Sequence, residues 1–164
     1  MAYGCVRTDN MSGTTLGKDL VSLRFMNGEA EAEIENGAVV LIGDYIEGER
    51  EIKKATAVAA NSPLEKVALV ASEEVDKTKN YTTLAEFKNK AGADIRGYKL
   101  ASAGQSFAVT KECFTAGSAL AKGNVVELAD GTKFHAVASA TGGSTKVGKI
   151  VAIEDKWYVV EVEA

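Results

Sequence analysis

The chain has 164 residues but only two cysteines, one proline, one histidine and one tryptophan. Cys5 and Cys113 are too few and too far apart for a disulfide framework, and no Cys-x-x-Cys or Cys/His spacing exists for a zinc site. Reduced thiols in a cytosolic setting are therefore expected. His135 lies in an alternating stretch beside Phe134 and Val137, and no motif brings a cysteine or serine to it with an orienting acid, so it reads as structural. No run approaches the ~20 apolar residues of a spanning helix, and the N-terminus lacks the pattern of a signal peptide. Basic clusters are missing too. With 19 lysines and arginines against 23 acids the net charge is -4, which argues against a nucleic-acid or anionic-membrane surface. No cofactor is expected.

What is present is globular in composition, 46% hydrophobic and 26% charged, and a chain of this length buries roughly two thirds of its unfolded surface around one core. Two stretches echo each other. Asn36-Gly37-Ala38-Val39-Val40-Leu41-Ile42-Gly43-Asp44 matches Lys122-Gly123-Asn124-Val125-Val126-Glu127-Leu128-Ala129-Asp130. Ala57-Val58-Ala59 then matches 136–138 and 67–71 matches 147–151, with Tyr45 to Glu51 as an insertion in the first copy. A fixed order of turn, strand, strand, turn, strand predicts one supersecondary unit used twice. Side chains alternate along a strand, so Val126 and Leu128 should point inward with Glu127 in water. The first copy, with Leu41 in place of Glu127, is apolar on both faces and needs a cover on the second.

In chain order, residues 1–29 read as an extended, polar, glycine-rich arm, with a β-competent passage at Leu20, Val21, Leu23 and Phe25. Those four residues could pair with a partner's sheet edge or form an edge strand of the chain's own sheet. The body, 30–164, holds repeat-like units at 35–75 and 121–162 joined by a segment at 76–120. Asn36-Gly37 predicts a hairpin of 30–35 with 38–43. The glutamates of the Tyr45–Glu51 insertion match no calcium loop and read as a solvated turn. Thr83-Leu84-Ala85-Glu86 is a capping-box pattern, and Leu84, Phe87 and Ala91 predict a short helix near 83–91, ended by Gly92, that could cover Val39 and Leu41. Strands follow at 98–100, 106–110 and 157–162, with a hairpin turn at Asp130-Gly131. Short strands at regular spacing predict a mainly β fold, an antiparallel barrel or sandwich.

Gly143-Ser144-Thr145-Lys146-Val147-Gly148-Lys149 has the spacing of a phosphate-cradling loop, but Ile150 stands where Ser or Thr would hold Mg²⁺, and the stretch reads as a strand rather than a turn into a helix. Carboxylates are plentiful, yet nothing in the sequence singles out a catalytic pair or a metal site.

The passage 83–92, then Arg96-Gly97-Tyr98-Lys99-Leu100, Phe107-Ala108-Val109-Thr110, the paired Gly-x-Val-Val strands and the closing Val147-Gly148-Lys149-Ile150 with Trp157 to Val162, resembles head decoration proteins of tailed bacteriophages over residues 35–164. The resemblance implies a non-enzymatic, β-rich virion protein made in the host cytoplasm. It would bind the major capsid protein on the outer shell in many copies, often as trimers, and stabilise the shell. A tail or baseplate component, or a carbohydrate-binding surface module with an aromatic-lined groove, is the alternative.

Overall fold

The computed structural model describes residues 2–7, 19–75 and 83–163. Among these, eleven strands make a mainly β molecule, and helical structure is confined to 3-10 geometry, including the turns Leu64–Lys66, Leu84–Glu86 and Lys111–Cys113. The first sheet contains β1 (Leu20–Asn27), β2 (Ala30–Glu31), β3 (Val39–Tyr45), β4 (Ile52–Thr56), β5 (Val67–Val70) and β6 (Ile95–Lys99) in the order β2-β1-β4-β3-β5-β6. Because β1 also pairs with β6, five of these strands close into a barrel and leave β2 outside it. The second sheet runs β7 (Ser106–Val109), β11 (Trp157–Val162), β10 (Lys146–Glu154), β8 (Val125–Leu128), β9 (Phe134–Val137), with every pairing antiparallel.

Alternation along the strands separates two cores. Leu23, Val40, Ala55, Ala68, Val70 and Ile95 fill the barrel interior. A five-stranded barrel is narrow, which explains the alanines there and the glycine at 97, where a Cβ would lie 2.7 Å from Leu23 Cδ1 and 3.1 Å from Ala68 Cβ. Residues of opposite parity, Val39, Val67, Leu69, Tyr98 and Leu100, leave the barrel wall and meet Phe107, Val126, Leu128, Phe134, Ile150 and Val160 of the second sheet. The first repeat is thus apolar on both faces because it lines two cores at once.

The repeat extends to register. In both copies the first strand is central, flanked antiparallel by the other two: β4-β3-β5 and β9-β8-β10. Val40 pairs with Ala68 as Val126 pairs with Gly148, and Val39 with Leu69 as Val125 with Lys149. On the other edge, Leu41 faces Thr56 as Glu127 faces His135, and Ile42 faces Ala55 as Leu128 faces Phe134. The insertion is the outer end of the β3–β4 hairpin, where a register shift after Ile42 lets Tyr45 remain in the strand. The copies also touch directly: Val58 and Gly131 exchange backbone hydrogen bonds of 2.8 and 3.0 Å, and Asp130 Oδ1 accepts from the Ala60 amide.

Four sequence expectations are corrected. Residues 20–27 are not a free arm or an edge: β1 lies between parallel β4 and antiparallel β6, and Leu23 is fully buried. The predicted hairpin of 30–35 with 38–43 does not form, since both edges of β3 are occupied by β4 and β5. The hairpin lies one turn earlier, at Asn27-Gly28-Glu29-Ala30, where Gly28 supplies the positive φ. Asn36 instead stitches the barrel end: its amide donates to Ser72 O (2.8 Å) and its Oδ1 accepts from Ser72 N (3.1 Å). The helix at 83–91 reduces to Leu84–Glu86, because Phe87 is extended and Asn89 bridges to Ile34. The capping box at Thr83 and Glu86 and the positive φ at Gly92 are both present. Finally, the cover over Val39 and Leu41 is the second sheet, not this turn.

Candidate functional site

Two grooves open on the described surface. The larger, about 640 Å³, runs past Ser22, Glu73, Lys88, Asp94 and Arg96. Its charges largely satisfy one another or their neighbours. Arg96 pairs with Glu73 at 3.4 Å, Lys88 with Glu33, and Arg24 donates to Asp94 through Nε (3.0 Å) and Nη2 (2.6 Å).

The smaller groove, about 370 Å³, is built differently. One wall is the N-terminal segment. Cys5 to Arg7 lie against the outer edge of β7, with Thr110 N donating to Cys5 O (3.1 Å), Cys5 N to Thr110 Oγ1 (3.3 Å) and Arg7 N to Ala108 O (2.9 Å). Tyr3 N donates to Ala85 O at 2.9 Å, which ties this segment to the Leu84–Glu86 turn. The opposite wall is the tight turn from β10 into β11. Asp155 has φ 56°, a left-handed conformation that aspartate tolerates better than most residues, and it delivers Lys156, Trp157 and Tyr158 to the groove.

Aromatic and apolar side chains dominate the lining. Tyr3, Leu84, Trp157 and Tyr158 face it, and half of Leu84 is exposed. Tyr158 is anchored from behind by an edge-on contact with Phe114 at 5.9 Å, and Phe114 and Phe107 both pack on Phe134, so this wall is continuous with the main core. Lys156 Nζ sits 5.6 Å from the centre of the Trp157 ring. Lys111 and Lys156 are the cations of the lining, and neither makes an ion pair with a described residue. Glu112 is its single carboxylate. Cys5 also lines the groove, but burial pushes its thiol up and away from the reactive thiolate. Cys113 is pushed up further by complete burial.

His135 and Glu127 face each other across β8 and β9, on the side of the second sheet away from the barrel. Glu127 was expected in water but is buried, because the loop after β9 folds over it and Thr141 N donates to Oε2 at 3.0 Å. His135 Nδ1 lies 3.3 Å from Oε1. Burial pushes this carboxyl up, but hydrogen bonds from Thr141 and His135 overcome that effect and hold it below the ordinary value.

Leu20, Val21, Leu23 and Phe25, the residues singled out for partner binding, belong to the barrel wall. Leu23 is buried in the barrel interior, Val21 and Phe25 pack beside it, and Leu20 packs on the core between the layers. The stretch with phosphate-loop spacing ends within β10. There a Cβ on Gly148 would lie 1.9 Å from Glu161 O, and Lys149 pairs with Glu163 at 3.2 Å. Its second glycine and lysine therefore serve strand packing and an ion pair. Among the described residues no cluster of three or more His, Cys, Asp or Glu could hold a metal, and no helix is long and apolar enough to cross a membrane.

Sequence reasoning missed the aromatic groove because its walls come from residues 2–5, 83–85, 110–112 and 156–158, which only the fold brings together. The one local signal was Lys-Trp-Tyr immediately after a turn. No family model, no curated protein and no solved structure matches the chain.

Proposed function

We propose that this chain is a non-catalytic structural protein that binds the outer surface of a tailed-phage capsid and stabilises the shell. The observation that carries this reading is where the resembling segments sit. Arg96–Leu100 covers most of β6, Phe107–Thr110 most of β7, Val147–Ile150 falls in β10, and Trp157–Val162 is β11. Tyr98, Leu100, Phe107, Val109, Val147, Ile150, Val160 and Val162 of these segments belong to the core between barrel and sheet. These four segments of the resemblance meet in one packed core, whereas its first passage, 83–92, lies in the Leu84–Glu86 turn and the stretch after it.

A closed barrel backed by a second sheet suits this task. Closure leaves the barrel strands no free edge, so copies crowded on a lattice are not prone to pair through them. Contact repeated over many subunits lets modest affinity per copy suffice, and binding only to the intact lattice stabilises it by mass action. Major capsid protein is the proposed partner, with a homotrimer as the proposed oligomer.

Reconstitution tests the reading. Purified protein added to capsids stripped of it should bind the exterior at fixed stoichiometry and raise the temperature at which the shell releases DNA. Absence of saturable binding, or binding with unchanged shell stability, removes the cementing role and leaves a tail component or a surface-binding module.

A further inference from the structure

We propose that the groove between the N-terminal segment and the β10–β11 turn is a docking site for a short acidic peptide segment of a partner protein, anchored by one large apolar side chain. The volume, about 370 Å³, lies near the lower end of the roughly 300–1,000 Å³ range of ligand pockets and leaves room for one or two such side chains. Tyr3, Leu84, Trp157 and Tyr158 supply an apolar surface that is rigid behind Tyr158, where the Phe114 and Phe134 rings connect it to the core. Aromatic residues of this kind are the usual anchors of protein interfaces.

Charge selects the occupant. The chain carries net charge -4, and among the described residues four lysines are matched to carboxylates: Lys88 to Glu33, Lys133 to Glu35, Lys146 and Lys149 to Glu163. Lys111 and Lys156 make no ion pair among the described residues and flank an apolar cleft, where they outnumber its single carboxylate, Glu112. A ligand that brings its own carboxylates beside an apolar anchor complements both features. A neutral sugar would complement neither cation, and one face of Trp157 is already taken by Lys156 Nζ at 5.6 Å. The proposal stands independently of capsid binding.

Trp157 is the only tryptophan, so its emission reads this groove alone. The test titrates the full chain with a blocked hexapeptide of sequence Asp-Glu-Phe-Leu-Glu-Asp, following Trp157 emission and, separately, heat by calorimetry. Saturable binding by both readouts is expected, weakened by added salt and lost when lysines replace the four acids. The double variant Lys111→Glu/Lys156→Glu should weaken binding roughly tenfold or more, as expected for charges steering and holding an acidic ligand, with an unchanged melting curve because both side chains are exposed. Leu84→Ser, also at an exposed position, should weaken it without touching charge. No saturable binding, equal binding of the lysine peptide, an unaffected double variant, or binding of maltohexaose in place of the peptide would each overturn the proposal.

Discussion

Glu127 shows how a single side chain can change roles between two copies of one unit. Its counterpart Leu41 packs on the core between the layers, whereas Glu127 points to the opposite face and is buried under the loop that carries Thr141. A carboxylate held below its ordinary pKa contributes stability that is fully present above the unfolded value, about 4.3, and that is lost as pH falls through the lower folded value. Denaturant midpoints should therefore fall as pH drops below about 4.5, and Glu127→Gln should remove part of that acid sensitivity. An unchanged pH profile in the variant would assign the acid loss to other carboxylates. Glu127→Ala should cost about 1–3 kcal/mol at neutral pH, since it removes the buried carboxylate that accepts from the Thr141 amide and faces His135. Gly148 is a stricter case. Any Cβ there collides with Glu161 backbone on the paired strand, so Gly148→Ala should cost about 3 kcal/mol or prevent folding, whereas Gly104→Ala meets open space and pays only for its positive φ. Thermal melts of the two alanine variants give the comparison directly.

Among elements, β1 is the strand that closes the barrel. It lies between β4 and β6, so deletion of residues 1–27 should abolish cooperative melting rather than leave a folded body with weaker attachment. Leu23→Ala alone should cost about 2–5 kcal/mol by opening a cavity in the barrel interior. A truncated chain that still melted cooperatively would return residues 20–27 to the role of an arm. The sequence made most strand positions legible, because valine-rich alternation and turn glycines are local properties: β11 coincides with the expected 157–162 and the two β units keep their predicted register. Partnership between distant strands was not legible. Leu20 to Phe25 carry the same alternation in an arm, an edge or a barrel wall, and only the unpaired edges of β4 and β6 decide among them. Asn36-Gly37 misled for a related reason. The dipeptide favours a tight turn locally, but the strand after it was already paired on both sides. The groove was illegible because its four contributing stretches span nearly the whole chain.

For the whole molecule the question is whether barrel and sheet are two domains or one. Separating them would expose Val39, Val67, Leu69 and Tyr98 on one side and Val126, Leu128, Ile150 and Val160 on the other, all buried in a shared core. The chain's beginning also crosses the boundary: Val6 bridges to Val109 in the second sheet, while β1 is part of the barrel. A layer that loses this much apolar contact has no independent core of its own on that face, so the two should unfold together. Trp157 emission reports the second sheet alone, and far-ultraviolet circular dichroism reports both layers. Urea titrations followed by the two signals should give one coincident transition. Fragments 1–102 and 103–164 should each fail to fold alone yet regain the near-ultraviolet signature of the intact chain when mixed. A tryptophan transition well separated from the dichroism change, or a fragment that melts cooperatively alone, would instead make the shared core a docking surface between two autonomous domains.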